Sequence, residues 1–182
     1  MNKFFRAIQA KVQGIPKISA KLYEASASKL LEHMYEAIAN EIRDRKNKIL
    51  DEGCGTGKLL LKIVKSEKAI FAVGLDISNA MLSIAKRKLV KENIYNLVLG
   101  DAHNMPFRYS SVNLILSSGT LHHLRYPGKF FKECFRVFGK EGEAWIYEFS
   151  HDAPSSEVKE TSKLLKKPSL LLKSGCYTTW NT

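Results

Sequence analysis

The stretch KILDEGCGTGKLL, residues 48–60, places a short apolar run before three closely spaced glycines and a second apolar run after them. The first run predicts a strand, and the second continues at helical spacing as far as Val64. Glycines between a strand and a helix let the backbone turn tightly and approach a ligand closely. The stretch therefore predicts a strand, a ligand-binding turn and a helix.

Two common nucleotide-binding loops do not fit this turn. A phosphate-binding P-loop needs Ser or Thr where Leu59 stands and an earlier glycine where Glu52 stands. The dinucleotide fingerprint G-x-G-x-x-G meets Lys58 or Leu60 at the position that needs a small residue. The turn is therefore neither of these loops.

Strands and helices alternate beyond the turn. Apolar runs predict four further strands, at residues 69–75, 95–99, 112–116 and 143–149. Ser78 is a predicted N-cap, and another helix is predicted to contain Phe130 and Phe138. The inward positions of the helix after Ser78 are Met81, Leu82, Ala85 and Leu89. The expected fold is α/β: a Rossmann-like, doubly wound, mostly parallel sheet with helices on both faces and ligands at the carboxyl ends of the strands.

The two ends of the chain complete a single predicted domain, residues 1–182. Residues 1–46 are expected to form a helical cap, and residues 47–150 the core. The apolar positions of the cap recur at helical spacing, at Leu31, Met34, Tyr35, Ile38 and Ile42. Residues 151–182 are expected to be helical, so that C-terminal strands are missing and an exposed sheet edge favours a homo-oligomer.

Composition indicates a soluble chain with excess positive charge. The formal net charge is +11 over 182 residues, and no apolar run approaches the roughly 20 residues that span a bilayer. Cys54, Cys134 and Cys176 form no CxxC pair, so we expect no disulfide framework, no metal site and a cytoplasmic location. The charge makes RNA an alternative partner. Residues 1–23, basic and without acids, fit a solvated helix face better than a transit peptide or a membrane-surface helix.

The D-x-G-x-G-x-G pattern of residues 51–57 resembles the first motif of the class I S-adenosylmethionine-dependent methyltransferases. The resemblance implies that S-adenosylmethionine is the cofactor and that the glycines pass close to its methionine part. It implies further that Asp51 holds the ammonium group and that Asp76 accepts both ribose hydroxyls. Ile77 resembles the residue that covers one face of the adenine.

Two later segments are similar to the same family. GDAHNMPF, residues 100–107, resembles the loop in which an acid, here Asp101, accepts from the adenine amino group. VNLILSSGTLHHL, residues 112–124, resembles the fourth strand and the turn after it, although Asn113 replaces the usual Asp. Glu52 also departs from the usual apolar residue, and its carboxylate would need partners. The implied cofactor-binding residues are Asp51, Gly53, Cys54, Gly55, Gly57, Asp76, Ile77, Asp101, Ala102 and Ser117.

The resemblance is closest to the branch that includes quinone-biosynthetic enzymes, which implies methyl transfer to a small molecule. The cofactor is already activated, so alignment and water exclusion matter most and no universal catalytic residue is expected. His122 and His123 act either as base and substrate guide or as packing residues. The tetrapeptide of amino-directed DNA methyltransferases is absent at residues 117–120, which read SSGT. Two alternatives stay open: a methyltransferase acting on RNA, and a truncated, catalytically incomplete cofactor-binding or scaffold protein.

Overall fold

Helices and strands alternate along the computed structural model, which describes residues 31–42, 48–66, 71–92, 96–138, 142–150 and 176–180. The helices are α1 (Glu32–Glu41), α2 (Lys58–Ser66), α3 (Asn79–Leu89) and α4 (Pro127–Phe138). The strands are β1 (Lys48–Glu52), β2 (Phe71–Asp76), β3 (Leu97–Leu99), β4 (Leu114–Ser118), β5 (Glu143–Ser150) and β6 (Cys176–Trp180). Short 3₁₀ turns cover Val90–Glu92 and Leu121–His123. None of the helices in these ranges is long and apolar enough to cross a membrane.

The strands form one sheet in the order β3-β2-β1-β4-β5-β6. The first five are parallel, and Leu50 at the centre lies opposite Val73 on one side and Ile115 on the other. The chain leaves β1 toward β2 and returns on the other side at β4, so the direction of winding reverses between β1 and β4. Parallel α/β sheets open a crevice at such a point, outside the carboxyl ends of the strands. The predicted doubly wound fold is confirmed.

The prediction of a helical C-terminal segment is wrong at residues 176–180. These residues form β6, which pairs antiparallel with β5 from Ile146 opposite Trp180 to Ser150 opposite Cys176. Aromatic and β-branched residues favour strands, and this segment reads CYTTW, but five residues are too few for a clear periodic pattern. β5 therefore has a strand on both sides and is not an exposed edge. The apolar positions predicted between Leu164 and Leu172 lie outside the described residues.

Side chains of alternate strand residues enter two separate apolar layers. One layer contains Ile49, Ala72, Leu114 and Trp145 together with the buried faces of α1, α2 and α3. The other contains Leu50, Val73, Ile115 and Ala144 together with α4. This period of two is what a sheet covered on both faces requires. The prediction of helices on both faces is confirmed.

The predicted N-cap and the predicted helix faces are present. The Ser78 hydroxyl accepts from the Met81 amide at 3.4 Å, and the four inward positions of α3 are all buried. α1 buries Tyr35 and Ile38 against the layer that contains α2. Lys62 of α2 pairs with Glu32 at 2.8 Å and with Glu36 at 2.9 Å on α1. These half-exposed pairs orient α1 but contribute little stability compared with its apolar face.

Asn113, which replaces the usual Asp, keeps a structural role. Its side-chain oxygen accepts from the Lys48 amide at 3.1 Å, and its own amide donates to the Lys48 carbonyl at 2.8 Å. An amide oxygen accepts from a backbone N–H as a carboxylate oxygen does. The substitution therefore preserves the link between the starts of β1 and β4.

Gly74 allows the turn after β1 to pack directly on β2. A Cβ at this position would lie 2.7 Å from Cys54 Sγ and 3.1 Å from Leu60 Cδ2. The Cys54 amide also donates to the Leu75 carbonyl at 3.0 Å. The turn is thus fixed on the neighbouring strand by close packing and by a backbone bond.

We predict that Gly74→Ala lowers the free energy of unfolding by about 1–3 kcal/mol, because the new methyl group overpacks the contact with Cys54. Cys54→Ala in the same chain removes the sulfur and should recover part of that loss. Urea unfolding of the wild type, both single variants and the double variant measures the coupling between the two sites. Strictly additive losses would contradict the contact.

Glu52 is a buried carboxylate that joins the two central strands. It is 3% exposed, and its Oε2 accepts from the Ser117 hydroxyl of β4 at 2.8 Å. Burial, with smaller contributions from Asp76 and Asp101, raises the pKa of Glu52 to about 7 against the lowering effect of the Ser117 bond. The partner that this departure from the family pattern needs is therefore Ser117.

The raised pKa of Glu52 predicts a pH-dependent cost of folding. The folded chain holds the proton that the unfolded chain loses above a pKa of 4.5, so stability from this group falls as pH rises from about 4.5 through about 7. Glu52→Gln keeps an acceptor for Ser117 and has no charge. The variant should therefore be more stable than the wild type at pH 8. Its advantage in free energy of unfolding should be about 1–3 kcal/mol larger at pH 8 than at pH 5. Denaturant unfolding at both pH values measures this difference, and an equal difference at both would disprove it.

Candidate functional site

The turn between β1 and α2 requires glycine at three positions. Gly53, Gly55 and Gly57 have φ angles of +69°, +53° and +73°. A side chain at residue 53 would also overlap Thr120, and one at residue 57 would lie 3.0 Å from the Ala85 Cβ. Side chains are therefore excluded by backbone conformation throughout the turn and by close neighbours at two of its positions. The backbone at the three glycines is therefore the part of the turn that a ligand could approach closely.

Asp76, the last residue of β2, holds this turn from the side. Its Oδ2 accepts from the Gly55 amide at 2.8 Å, and its Oδ1 accepts from the Ser78 amide at 2.7 Å. Burial raises the pKa of Asp76, and the two amide bonds oppose that rise. A carboxylate oxygen can accept a second hydrogen bond, so both oxygens retain accepting capacity. The sequence predicted Asp76 at the crevice but not its two backbone donors.

Asp51, near the end of β1, has a buried oxygen without a partner. The residue is 2% exposed, and Oδ2 makes no hydrogen bond within the described part of the chain. Burial raises the pKa of Asp51 well above its usual range, Glu52 and Asp76 add to the rise, and the Leu60 amide opposes it. An unsatisfied buried acceptor costs about 1–3 kcal/mol. Such an atom is the feature expected where a ligand donates a hydrogen bond or brings a positive charge.

Asp101, after β3, is held by a histidine that the sequence did not single out. Its Oδ1 accepts from the His103 amide at 2.9 Å and lies 2.7 Å from His103 Nδ1. The Tyr126 amide donates to His103 Nε2 at 3.3 Å. Because Nε2 accepts, Nδ1 carries the proton and donates to Asp101. A histidine two residues after an acid in a turn is the signal that could have predicted this pair.

The loop after Asp101 is fixed to α4 by an ion pair. Glu133 accepts from the Met105 amide at 2.7 Å, and Arg136 donates to the carbonyls of Met105 at 2.9 Å and Phe107 at 2.7 Å. Glu133 and Arg136 also pair with each other at 2.7 Å. Met105 is buried in the second apolar layer, and Phe107 packs against that layer. These bonds keep the Asp101 loop at the edge of the crevice.

The other predicted site residues differ in how far their side chains are exposed. Ile77 is 39% exposed beside Asp76, and Ala102 is buried beside Asp101. Cys54 is buried with its sulfur near Gly74, and burial raises the pKa of its thiol. The hydroxyl of Ser117 is used by Glu52. The structure thus brings the acids and glycines together at the crevice, whereas the side chains of Cys54 and Ser117 are buried below it.

A cleft at the glycine turn is bordered by Tyr35 of α1. Its lining residues are Tyr35, Gly53, Cys54, Gly55, Thr56, Lys58 and Ser118. The Ser118 hydroxyl oxygen, like Asp51 Oδ2, is buried and has no hydrogen-bond partner in the described ranges. The cleft therefore lies at the carboxyl ends of β1 and β4, and its lining includes one acceptor, the Ser118 hydroxyl, that the described residues do not satisfy. The same ranges contain no group of three His, Cys, Asp or Glu residues that could hold a metal ion.

Beyond β4, the two predicted histidines lie on the 3₁₀ turn. His122 Nδ1 is 2.7 Å from Glu148 Oε1, and the His122 amide donates to Glu148 Oε2 at 3.0 Å. The rings of His122 and His123 lie 3.8 Å apart at 47°. The sequence predicted the histidines but not Glu148, which belongs to β5 and is 26 residues away.

Comparison with known proteins agrees with this geometry. The methyltransferase domain family matches residues 50–146. Demethylmenaquinone methyltransferase of Thermotoga maritima is 32% identical over 117 residues, which are 64% of this chain and 48% of that protein. Malonyl-[acyl-carrier protein] O-methyltransferase of Legionella pneumophila is 31% identical over 124 residues, which are 68% and 42% of the two chains. The chain spans about half the length of the curated relatives it matches.

Solved structures share the fold. A SAM-dependent methyltransferase from Aquifex aeolicus superposes with a TM-score of 0.66 at 20% identity, over 82% of this chain and 87% of that one. At this identity the likeness shows the fold alone. The family match covers more than half of the chain and includes the glycine turn, Asp76, Asp101 and the turn after β4. The chain therefore belongs to the methyltransferase domain family, among the class I S-adenosylmethionine-dependent methyltransferases.

Proposed function

We propose that this chain is an S-adenosylmethionine-dependent methyltransferase whose acceptor is a small molecule. The observation that carries the proposal is the buried Oδ2 of Asp51, which has no hydrogen-bond partner among the described residues and belongs to the residue two positions before a turn with three positive-φ glycines. Asp76 and Asp101 continue the row of acids across the ends of β2 and β3. This row is what a ligand with an ammonium group, two ribose hydroxyls and an amino-purine needs.

The residues present fit the cofactor along its length. Asp51 would accept from the ammonium group of the methionine part, and Gly53, Gly55 and Gly57 would let the backbone approach that part. Asp76 would accept from the ribose hydroxyls. At the far end, Asp101 and the Ala102 amide would bind the adenine edge, with Ile77 against its face. Neighbouring strands are about 4.8 Å apart, so three strand ends span roughly 10 Å, the scale of an adenosine group.

Charge supports the same assignment. Burial raises the pKa values of Asp51 and Asp76, which means that the folded chain holds negative charge at an energetic cost. A ligand that carries an ammonium and a sulfonium would offset that cost at short range. The bound cofactor would supply an activated methyl group. The chain itself would supply alignment and the exclusion of water, the latter through α1 and Tyr35 above the turn.

The names of two similar proteins support a small acceptor group. One similar protein is named for a quinone precursor and another for an acyl group on a carrier protein. The net charge of +11 favours RNA as the second candidate.

We predict that Asp76→Ala weakens the binding of S-adenosylmethionine by tenfold or more, because charge-assisted bonds to ribose hydroxyls contribute about 1.5–3 kcal/mol each. Isothermal titration calorimetry of wild type and variant measures the effect. Glu92→Ala, an acid outside the crevice that pairs with Lys65, is the matched control. Thermal unfolding establishes that the variant is folded. A wild-type chain that is folded but does not bind the cofactor would disprove the enzyme and leave the scaffold alternative.

The RNA alternative makes a separate prediction. If RNA is the substrate, an unmodified transfer RNA transcript stays bound at 200 mM salt and outcompetes a random RNA, although its affinity falls as salt weakens the phosphate contacts. We expect instead weak binding that is lost at 200 mM salt and that is equal for the transfer RNA and a random RNA. Filter binding with a random RNA of equal length as control distinguishes the two. Tight, sequence-dependent binding at 200 mM salt would replace the small-molecule proposal.

A further inference from the structure

We propose that His103 selects the purine of the bound ligand by fixing the direction and the charge of the Asp101 carboxylate. This inference rests on the proposed function and names the residue on which one contact of that site depends. His103 acts through Asp101 and is therefore a positioning residue. The purine it selects has an amino group at C6 rather than an oxo group.

Asp101 is held in a different way from Asp76. Asp76 ends β2 and accepts from the backbone amides of Gly55 and Ser78. Asp101 lies two residues beyond Leu99, the last residue of β3, and its side chain is 44% exposed. A carboxylate this exposed exchanges between rotamers unless another group restricts it. For Asp101 that group includes a side chain, the imidazole of a histidine.

His103 bonds to one oxygen of Asp101 and leaves the other for a ligand. The amide of His103 and its ring Nδ1 lie 2.9 and 2.7 Å from the same atom, Oδ1. Oδ2 makes no hydrogen bond within the part of the chain that the structure describes. Two bonds to Oδ1 restrict the rotation of the carboxylate, so Oδ2 keeps a constant direction.

The proton on the His103 ring is placed by the segment that leads into α4. The Tyr126 amide donates to Nε2 at 3.3 Å, so Nε2 presents its lone pair. In a neutral imidazole the proton is then on Nδ1, which donates to Asp101. A hydrogen bond donated to a carboxylate stabilises its charged form. Asp101 is thereby kept as an acceptor.

The Tyr126 ring packs against the imidazole and supports this arrangement. The two rings meet edge to face, with their centroids 6.0 Å apart and their planes at 73°. The charged groups of Arg125 and Lys129 each lie 5.2 Å from the centroid of the Tyr126 ring. The His103 side chain is 19% exposed, less than half the exposure of Asp101. The group that holds is therefore more sheltered from water than the group that is held.

An acceptor with a fixed direction distinguishes two kinds of purine edge. Adenine presents an N–H donor at C6, whereas hypoxanthine presents a carbonyl oxygen there. Asp101 Oδ2 would accept from the amino group and would face the oxygen of the oxo group without a proton between them. A site built to bond one polar group rejects an analogue that lacks it, because the group in the site is left unpaired. The preference for adenine should therefore depend on His103.

The first test compares S-adenosylhomocysteine with S-inosylhomocysteine, its deaminated analogue, and needs no methyl acceptor. Calorimetric titration gives the ratio of the two affinities in each protein. His103→Leu removes both ring nitrogens, whereas His103→Asn keeps a side-chain N–H at the position of Nδ1. His33→Leu is the matched control, since His33 lies on α1 with its Nδ1 3.8 Å from Glu36 and is 70% exposed. Thermal unfolding establishes that each variant is folded.

We expect the wild type to prefer S-adenosylhomocysteine by about thirtyfold, the scale of one hydrogen bond to a charged group. His103→Leu should reduce this ratio by about fivefold, through weaker binding of the adenosine ligand, because Oδ2 then has no fixed direction. His103→Asn should recover most of the ratio, since its amide still donates to Oδ1. His33→Leu should leave the ratio unchanged.

The outcomes separate this inference from the proposed function. A folded wild type that binds neither ligand would disprove the proposed function and the inference with it. If the wild type binds both ligands equally well, the cofactor site stands and the role given to His103 is wrong. Equal losses for both ligands in His103→Leu, with the ratio unchanged, would show that His103 only supports the fold.

The second test uses the wild type alone, so it does not depend on the folding of a variant. Two-dimensional ¹⁵N NMR at pH 7.5, with each histidine ring assigned through its own backbone amide, reports which ring nitrogen carries the proton. We expect the proton of His103 on Nδ1 and a lone pair on Nε2. A proton on Nε2 would exclude the bond from the Tyr126 amide and would overturn the inference.

Discussion

The arrangement of the crevice depends on the Asp76 carboxylate. The turn between β1 and α2 has no side chains of its own at its glycines, so it cannot be held from within. Asp76 holds it from the next strand by accepting from the Gly55 amide, and its other oxygen fixes the start of α3 through Ser78. Gly74, two residues earlier, lets Cys54 pack on the same strand. One strand end thus positions both loops between which a ligand would lie.

This arrangement places several acids where burial opposes their charge. Asp51 and Glu52 are almost fully buried, Asp76 is partly so, and the pKa of each is raised. The middle of every central strand is apolar, so the conflict is confined to the carboxyl ends. Residues that lower stability in this way are expected where a protein binds a ligand or catalyses a reaction. Glu52 differs from Asp51, whose Oδ2 has no partner among the described residues, because the Ser117 hydroxyl donates to it, and Glu52 is therefore a structural acid.

The parts of the fold that follow a local pattern were predictable. Apolar runs and glycine signals identify β1 to β5, and Ser78 identifies the start of α3. β6 was not predicted because five residues are too few to show a periodic pattern and because their partner strand is about 30 residues away. The same reason applies within the site. The acids were predictable from their positions after strands, but Glu148 with His122 and Tyr126 with His103 are contacts between distant residues, which a single sequence does not encode locally.

The reversal of winding between β1 and β4 divides the crevice into two halves with different constraints. On the side of β1, β2 and β3, backbone amides, glycines without Cβ atoms and buried acids hold one another, so a change at one residue alters several contacts. On the side of β4 and β5, the pair His122–Glu148 is attached to a short turn and is partly exposed. Apart from Thr120, which lies against Gly53, and Ser117, which donates to Glu52, side chains there can change without disturbing Asp76 or the glycine turn. A fold built in this way can keep one cofactor while its acceptor varies, because the groups that would select the acceptor lie outside the network that holds the cofactor loop.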